Sequence, residues 1–338
     1  MDYSGLWTMD YCYGLIHRIH RLGVVEFIPI GDNAGTQMLW RNPRGFNPKS
    51  GEYVYIKLPW LREGGNEWHP FSIYLREATE EGLNEVQQCN NYNIDPEIND
   101  ESLFEFTQRV LTADFANKSN PSSLISHEVR QNLKRFDTTQ VFISPVGDWS
   151  KGLLEQVCGR KQLQSCWVRG PFTSPYFITH DFSHLVLTAS GIGITPALGV
   201  MAQYPGFSRT KILIWSTGSK TMLKFFTPLL KDAHLSVVFY TGKDPLTPSE
   251  LTTIQSHGNI FLQEGRPESL TETIGSLITM FENSINDGDK ARTLMDVDAL
   301  HRKTWCVLYC GGSKQLKNTI HKYTEEKGLG WEFELFDW

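Results

Sequence analysis

The chain has 338 residues, a formal net charge of −6, 40% hydrophobic residues and 21% charged residues. This length accommodates two domains of ordinary size, and the composition is that of a globular protein. The acidic balance argues against a nucleic-acid partner, which usually requires a basic face. A small anionic cofactor remains compatible with it, because a few local cations are enough to bind one.

The six cysteines fit no zinc or iron–sulfur spacing, so we predict free thiols in a reducing compartment and no metal site. No segment reaches the roughly 20 apolar residues needed to cross a bilayer. The acidic, polar N-terminus does not have the pattern of a signal peptide. We therefore expect a cytoplasmic protein, with the cytoplasmic face of a membrane as the alternative location.

Residues 1–22 form a predicted helical leader. Its Trp7–Leu22 stretch interleaves aromatic and apolar residues with Arg18 and Arg21. Such a pattern suits a helix packed on the protein, and it equally suits a peripheral membrane contact. The sequence leaves both interpretations open.

From Val24 onward the apolar residues alternate with polar ones, which is the pattern of half-buried strands. Turn sequences rich in proline and glycine separate these runs. Several short strands of this kind predict a small closed antiparallel barrel over residues 23–178. The predicted strands are Val24–Ile30, Thr36–Arg41, Tyr53–Leu58, Phe71–Arg76, Val141–Ser144 and Cys166–Arg169.

Residues 77–138 interrupt the predicted barrel. The stretch Glu77–Glu101 is acidic and rich in asparagine, Leu103–Leu111 is apolar and is either a strand or a helix, and Ser126–Phe136 has a helical pattern. A connection of this length is uncommon unless it has structure or function. We predict an insertion of unknown role on the barrel surface.

In residues 179–338 predicted strands alternate with predicted helices, as a parallel α/β sheet requires. The predicted strands are Leu185–Ala189, Lys211–Trp215, Leu235–Tyr240, a strand at Phe261, Trp305–Tyr309 and Phe333–Trp338. The predicted helices run to about Gln203 and over Met222–Asp232, Ser269–Glu282 and Ser313–Lys327, and Asn283–Asp298 is predicted to be a polar loop.

Five short motifs follow one another at predicted strand ends and turns. They are His69-Pro70-Phe71-Ser72, Gly147-Asp148-Trp149-Ser150, Gly170-Pro171-Phe172-Thr173, Ser190-Gly191-Ile192-Gly193-Ile194-Thr195-Pro196 and Cys310-Gly311-Gly312. The fourth motif follows an apolar strand and opens a helix. Glycines at such a turn let the backbone approach a pyrophosphate, and the helix N-terminus stabilises its charge. The second motif likewise precedes a helix, predicted to start near Lys151.

The order and spacing of these motifs resemble the ferredoxin–NADP reductase superfamily, and in particular the dehydrogenase half of NADPH oxidases and ferric reductases. The resemblance covers nearly all of residues 23–338 except the insertion. It implies an FAD-binding antiparallel barrel followed by an NAD(P)H-binding α/β domain. It also adds a third interpretation of the leader, as the remnant of a junction with a membrane helix.

For FAD, the resemblance assigns the hydroxyl of Ser72 to the flavin N5 atom and His69 to the side of the flavin and its phosphate chain. The other expected FAD-binding residues are Pro70, Phe71, Gly147, Asp148, Trp149 and Ser150. Gly170 and Pro171 belong to the loop that borders the nicotinamide. Thr173 and Ser174 depart from the family pattern, which has a glycine in one of these two places.

For the nicotinamide cofactor, the resemblance assigns the pyrophosphate to the turn containing Ser190, Gly191, Gly193, Thr195 and Pro196. It places Cys310, followed by Gly311, against the nicotinamide C4 atom, as a residue that aligns the hydride and not as a nucleophile. It assigns Trp338 to the aromatic residue that covers the flavin ring, with Phe336 as the alternative.

NADPH is the expected reductant and NADH the alternative. No acidic residue follows the second strand of the α/β domain to select NADH. Ser219, Lys220 and Arg266 are the candidates for binding the 2′-phosphate, although Gly218 occupies a place where the family often has arginine.

The resemblance implies hydride transfer from NADPH to FAD, followed by passage of single electrons to a haem, oxygen or ferric acceptor. No haem site is visible in the sequence, so a haem would belong to a partner or to a missing segment. Two alternatives stay open: a soluble NAD(P)H reductase for a small or protein acceptor, and a non-catalytic regulator that keeps the fold.

Overall fold

The computed structural model describes residues 18–31, 33–76, 102–117, 138–157, 160–203, 209–289 and 303–335. The N-terminal half is built on one seven-stranded sheet in which neighbouring strands run antiparallel. Its strands are β1 (Ile19–Ile30), β2 (Gly35–Arg41), β3 (Glu52–Lys57), β4 (His69–Ser72), β5 (Tyr74–Arg76), β6 (Thr138–Ile143) and β7 (Gln162–Thr173).

The spatial order β4-β3-β7-β1-β2-β6-β5 places β4 and β5 at the two ends of the sheet. Only Ile73 separates these strands in the chain, so the sheet curls back on itself. This confirms the predicted barrel. Alternate side chains fill its interior, as the period-two pattern requires; they include Val25, Phe27, Met38, Trp40, Val54 and Ile56.

The predicted single strand Phe71–Arg76 is two strands. Ser72 pairs with Tyr53 of β3, whereas Tyr74 pairs with Gln140 of β6. The chain changes neighbours at Ile73, whose N–H donates to the Glu52 carbonyl oxygen at 3.2 Å. Sequence alternation alone does not reveal this change of partner, because both strands keep the same period.

The first strand begins earlier than the sequence predicts. We expected a helix through Leu22, but Ile19 pairs with Arg169 and Leu22 with Cys166 of β7. Leu22 is buried in the barrel core, and β7 supplies the backbone hydrogen-bond partners of this segment. These tertiary contacts make it a strand although its composition favours a helix. The rest of the leader, residues 1–17, lies outside the described residues.

The C-terminal half is built on a six-stranded parallel sheet, which confirms the predicted α/β domain. The strands are β8 (Phe182–Ser190), β9 (Thr210–Thr217), β10 (Leu235–Tyr240), β11 (Ile260–Glu264), β12 (Lys303–Gly311) and β13 (Gly330–Leu335), in the spatial order β11-β10-β9-β8-β12-β13. The order reverses between β8 and β12, where open α/β sheets bind ligands beyond the carboxyl ends of the strands.

The described α-helices are α1 (Leu103–Asn117), α2 (Asp148–Val157), α3 (Ile194–Gln203), α4 (Lys220–Phe226), α5 (Pro248–Gln255), α6 (Leu270–Asp289) and α7 (Lys314–Lys327). In this described set, no helix is both long and apolar enough to cross a bilayer. Shorter 3-10 helices cover Pro175–Asp181, Gly191–Gly193 and Thr227–Asp232.

Three helices differ from the sequence predictions. The predicted helix Met222–Asp232 divides into α4 and a 3-10 helix, because Pro228 lacks the N–H that would continue the α-helix. Helix α6 continues through the start of the predicted polar loop, as far as Asp289. Helix α5 was not predicted; Thr247 and Glu250 start it with a reciprocal capping box.

The described part of the insertion packs on the α/β domain and not on the barrel surface, which corrects our prediction. Helix α1 buries Phe106, Val110 and Leu111 in one cluster with the parallel sheet and α6. The Phe106 and Phe261 rings meet edge to face, with their centroids 5.5 Å apart. The apolar stretch is helical because its buried residues recur every three to four positions. The predicted helix Ser126–Phe136 lies outside the described residues.

The two domains share one apolar core. Phe142 of the barrel lies 5.1 Å, centroid to centroid, from Phe226 of the α/β domain, and both belong to a cluster that also contains Tyr74. Helix α3 approaches the barrel so closely that a Cβ at Gly199 would lie 2.8 Å from the Ile73 carbonyl oxygen. This continuous packing fixes the boundary at which the motifs meet.

Candidate active site at the domain boundary

The first two motifs meet through an aromatic stack. Trp149, at the start of α2, lies 4.4 Å from the His69 ring and 5.7 Å from the Phe71 ring, centroid to centroid. The His69 Nε2 atom is 3.1 Å from a carboxylate oxygen of Glu67. Side chains from β4 and α2, about 80 residues apart in sequence, therefore form one wall of the barrel mouth.

Helix α2 begins at Asp148, three residues before the predicted start, so the second motif forms its first turn. The Ser150 hydroxyl accepts a hydrogen bond from the Gly147 N–H (3.1 Å) and donates to the Gly147 carbonyl oxygen (2.9 Å). The Asp148 side chain is exposed and lies 4.0 Å from Lys151. A Cβ at Gly147 would meet nothing within 4 Å, so there is open space beside this helix N-terminus, where an anion is favoured.

Ser72 is buried, and within the described structure its hydroxyl has no hydrogen-bond partner. It ends β4 on the outer face of the sheet, opposite Tyr53, while Pro70 lies opposite Tyr55. A buried hydroxyl without a partner is energetically costly, by about 1–3 kcal/mol. Such a group marks a place where a polar ligand atom is expected.

The third motif packs behind Tyr53. Gly170 has φ +140°, and a Cβ there would lie 3.2 Å from both the Tyr53 carbonyl oxygen and a Val54 methyl group. Glycine is therefore required for this close approach. After Pro171, the Phe172 ring lies 5.6 Å from the Tyr53 ring, so this motif supports the strand that faces Ser72.

The fourth and fifth motifs meet at the carboxyl ends of β8 and β12. A Cβ at Gly193 would overlap the Cys310 carbonyl oxygen, and a Cβ at Gly311 would overlap the Ser190 hydroxyl. A side chain at Gly193 would push backbone apart, whereas one at Gly311 would displace the side chains of Ser190 and Tyr309. This close approach explains why both motifs are rich in glycine. It also means that backbone atoms line this end of the sheet.

The turn after β8 is fixed by a hydrogen bond from the neighbouring strand β9. The Gly191 carbonyl oxygen accepts a hydrogen bond from the Trp215 indole N–H at 2.9 Å. Gly191 has φ +54° and open space where a Cβ would be. Thr195 and Pro196 are buried in the first turn of α3. Together they place the N-terminus of α3 beside open backbone, as a pyrophosphate site needs.

Cys310 and Glu334 lie side by side at the domain boundary, on adjacent strands β12 and β13. Burial raises the pKa of the Cys310 thiol well above its ordinary value, so the thiol stays neutral. Burial also raises the pKa of Glu334 to about 7. Its Oε2 atom is shielded from solvent and, among the residues described, has no hydrogen-bond partner.

Sequence reasoning missed Glu334. The available signal was an acidic residue on a strand in which Trp331, Phe333 and Leu335 all pack against the opposite face of the sheet. Tyr53 was also missed. Its pKa is raised chiefly by burial, then by Tyr55 and, more weakly, by Glu334. Tyr53 lies opposite Ser72 on the barrel, and Glu334 is among the groups that raise its pKa.

Two of the residues predicted to bind a 2′-phosphate make contacts within the protein. The Ser219 hydroxyl accepts from the Met222 N–H at 3.2 Å and caps α4. The Lys220 ammonium donates to the Pro245 carbonyl oxygen at 2.6 Å and lies 3.4 Å from Glu250. The pKa of Glu250 is lowered to about 2, mainly by Lys224, so this carboxylate stays charged.

Arg266 is exposed and lines a cavity of about 430 Å³ at the carboxyl ends of β10 and β11. Lys243, which the sequence reasoning missed, lines the same cavity together with Tyr240 and Glu264. Two cations thus border one cavity, beside one carboxylate. Trp338 and Phe336, the candidates for the residue that covers the flavin, lie outside the described residues.

Comparison with known proteins agrees with this arrangement. No protein-family model matches the chain. It is 24% identical over 182 residues to respiratory burst oxidase homolog protein H of Arabidopsis thaliana, which covers 54% of this chain and 18% of the relative. It is 24% identical over 196 residues to homolog protein J of the same plant, which covers 56% of this chain and 18% of the relative.

Among solved structures, the ferredoxin reductase in carbazole 1,9a-dioxygenase matches with a TM-score of 0.50 and 9% identity, covering 94% of this chain and 70% of that one. This likeness shows the fold. The chain is similar in sequence to part of the two plant respiratory burst oxidase homologs. It has the ferredoxin–NADP reductase fold, as the motifs predicted, and it spans about a fifth of the length of the curated relatives it matches.

Proposed function

We propose that this chain is an NAD(P)H oxidoreductase that binds FAD on the barrel and NADPH on the α/β domain. The observation that carries the proposal is the cluster of buried, unpartnered polar groups at the domain boundary. Within the described part of the chain, the Ser72 hydroxyl and the Oε2 atom of Glu334 both lack hydrogen-bond partners, and the neutral Cys310 thiol lies beside Glu334. Perturbed and unsatisfied groups of this kind concentrate at functional sites.

The barrel residues fit a flavin. The hydroxyl of Ser72 is free to hydrogen-bond the flavin N5 atom on the outer face of β4. The rings of His69, Phe71 and Trp149 lie on the other face of this strand, beside the N-terminus of α2, where they would border the rest of the FAD molecule. The open space beside Gly147, at the N-terminus of α2, suits the FAD pyrophosphate. We therefore assign FAD to these residues.

The α/β residues fit a nicotinamide dinucleotide. The glycine-lined ends of β8 and β12 and the N-terminus of α3 would receive its pyrophosphate. Cys310 and Glu334 lie next to this end of the sheet, where they would border the nicotinamide ring. When bound, the two cofactors would supply hydride transfer from nicotinamide C4 to flavin N5 and the release of single electrons.

The chain's own residues position and shield the reacting rings. Buried Cys310 provides a small apolar surface beside the site, and the shared core of the two domains holds the barrel face and the sheet end at a fixed separation. Alignment of this kind supplies much of the rate of a transfer between two bound groups. Ser72 supplies a hydrogen bond without giving up one inside the protein.

We infer that the electrons pass to oxygen or ferric iron, directly or through a haem carried by a partner or by another segment. The names of the two plant relatives support oxygen as the acceptor. A haem acceptor would place the chain at the cytoplasmic face of a membrane. A soluble acceptor would place it in the cytoplasm.

The deciding experiment is anaerobic stopped-flow absorbance of FAD-loaded protein mixed with NADPH and, separately, with NADH. We expect rapid bleaching of the flavin band by NADPH and slower bleaching by NADH. Absence of bleaching by both nucleotides, with FAD bound, would contradict the oxidoreductase proposal and support a non-catalytic regulator. Equal rates with both would contradict the choice of NADPH.

A further inference from the structure

Tyr176 is a fully buried phenol that the motifs did not single out. It lies in the 3-10 helix Pro175–Asp181, which packs along β13 directly after the third motif. Its backbone is fixed, because its N–H donates to the Ser174 hydroxyl (3.1 Å) and its carbonyl oxygen accepts from the Thr179 hydroxyl (2.8 Å). A Cβ at Gly51 of the barrel would lie 3.0 Å from the Tyr176 carbonyl, so both domains hold this residue in place.

The Tyr176 side chain covers the same face of the sheet as Cys310 and Glu334. It shares a buried cluster with Cys306 and Cys310 of β12. Glu334 pairs with Cys310 across the β12–β13 ladder, and the neighbours of Glu334 on β13 point to the opposite face. The pKa of Tyr176 is raised well above its ordinary value, first by burial and then by the neighbouring Cys310 and Glu334.

Two unsatisfied polar atoms, each shielded from solvent, therefore lie on one face of the sheet. Within the described ranges, neither the Tyr176 hydroxyl nor Glu334 Oε2 has a hydrogen-bond partner. A phenol is a donor and a carboxylate an acceptor, so the two groups are chemically complementary. Hydrogen bonds of a functional site are often long without ligand and tighten when the ligand binds.

We propose that Tyr176 is a positioning residue, whose hydroxyl holds the Glu334 carboxyl beside Cys310 by a hydrogen bond, direct or through one water, when the nicotinamide cofactor is bound. This inference rests on the proposed function, because it takes Glu334 to border the nicotinamide. It goes beyond that function in assigning a role to the segment that joins the two domains.

The titratable groups near Glu334 come from three elements: Cys310 pairs with it from β12, Tyr176 lies on the 3-10 helix that packs along β13, and Tyr53 of β3 has its pKa raised in part by Glu334. Burial is the first cause that raises the pKa of each of these three, so all of them stay neutral near pH 7. Glu334, with a pKa of about 7, is the member of this group that changes charge there. A donor to a carboxylate favours its ionised form, so loss of the Tyr176 hydroxyl must raise the pKa of Glu334.

The test compares FAD-loaded wild type, Tyr176→Phe, Glu334→Gln and the double variant, with Tyr323→Phe as the control. Tyr323 is a partly buried phenol that packs against the opposite face of the sheet. The first readout is the pH profile of flavin reduction by NADPH. The second is infrared titration of the protonated carboxyl band in protein with FAD and NADP⁺, with the Glu334→Gln variant identifying the band.

We expect Tyr176→Phe to move both the pH break and the infrared titration upward by about one pH unit, with FAD content unchanged. Glu334→Gln should remove the break and the band, and the double variant should behave like Glu334→Gln alone. Tyr323→Phe should match wild type.

Unchanged titration of the Glu334 band in Tyr176→Phe would overturn the positioning role. Independent, multiplying effects of the two substitutions on the rate would overturn it as well. Failure of the wild-type protein to be reduced by NADPH is a different result, because it would count against the proposed function while the infrared comparison still reports on Tyr176.

Discussion

The two halves of the site are lined by different parts of the chain. On the barrel, side chains form the lining: the stacked rings of His69, Phe71 and Trp149, and the free hydroxyl of Ser72. On the α/β domain, backbone forms it, because the ends of β8 and β12 approach so closely that only glycine fits. The two halves should therefore respond differently to substitution.

A side chain that lines the site can be replaced without moving the backbone. Where the backbone itself lines the site, an added side chain can force it to move. Ser72 makes no hydrogen bond inside the described protein, so its loss removes a ligand contact and leaves the fold intact. A side chain at Gly193 must displace a neighbouring strand before any ligand binds. Function and stability are separable on the barrel and coupled on the α/β domain.

The largest effect is expected for Gly193→Ala, because its Cβ would overlap the Cys310 carbonyl oxygen. We expect a loss of about 3 kcal/mol in the free energy of unfolding, together with loss of NADP⁺ binding. Denaturant unfolding and calorimetric titration measure the two quantities. Gly152→Ala in α2 is the matched control, since its nearest neighbour would be a Leu61 methyl group 4.0 Å away. Wild-type affinity in Gly193→Ala would show that the backbone half tolerates side chains.

An intermediate effect is expected for Ser72→Ala, which removes the hydrogen bond proposed for the flavin. Flavin reduction should slow by about 10–100-fold, with unfolding free energy unchanged to within about 0.5 kcal/mol. Ser50→Ala is the control, because the Ser50 hydroxyl is also buried and unpartnered among the described residues but lies in the turn before β3 and not on β4. Equal slowing in both variants would remove Ser72 from the site.

The smallest effect is expected for the cations. Arg266 is exposed and borders the cavity beyond β10, whereas Lys220 already contacts Pro245 and Glu250. Arg266→Ala should raise the KM for NADPH by about threefold and leave the KM for NADH unchanged, as expected for a solvent-exposed ion pair. Lys220→Ala should change the NADPH preference less. A larger effect of Lys220→Ala than of Arg266→Ala on the KM for NADPH would instead support Lys220 as the residue that binds the 2′-phosphate.

Much of the architecture follows from local pattern. Alternating apolar residues predicted the strands of the barrel, and alternation of strands with helices predicted the parallel sheet, because each element must bury one face. The strand-to-helix turns that contain the glycines at 191, 193 and 311 were likewise predicted from local sequence. These features depend on residues close together in sequence, which is why the sequence alone determined them.

Tertiary structure decided what depends on distant partners. Leu22 is in a strand because β7 is beside it, and α1 covers the α/β domain because that sheet has an apolar face open to Phe106. Glu334 became a candidate only when the β12–β13 register placed it beside Cys310 in a buried environment. Burial and the absence of a partner are properties of packed neighbours, and no spacing in the chain encodes them.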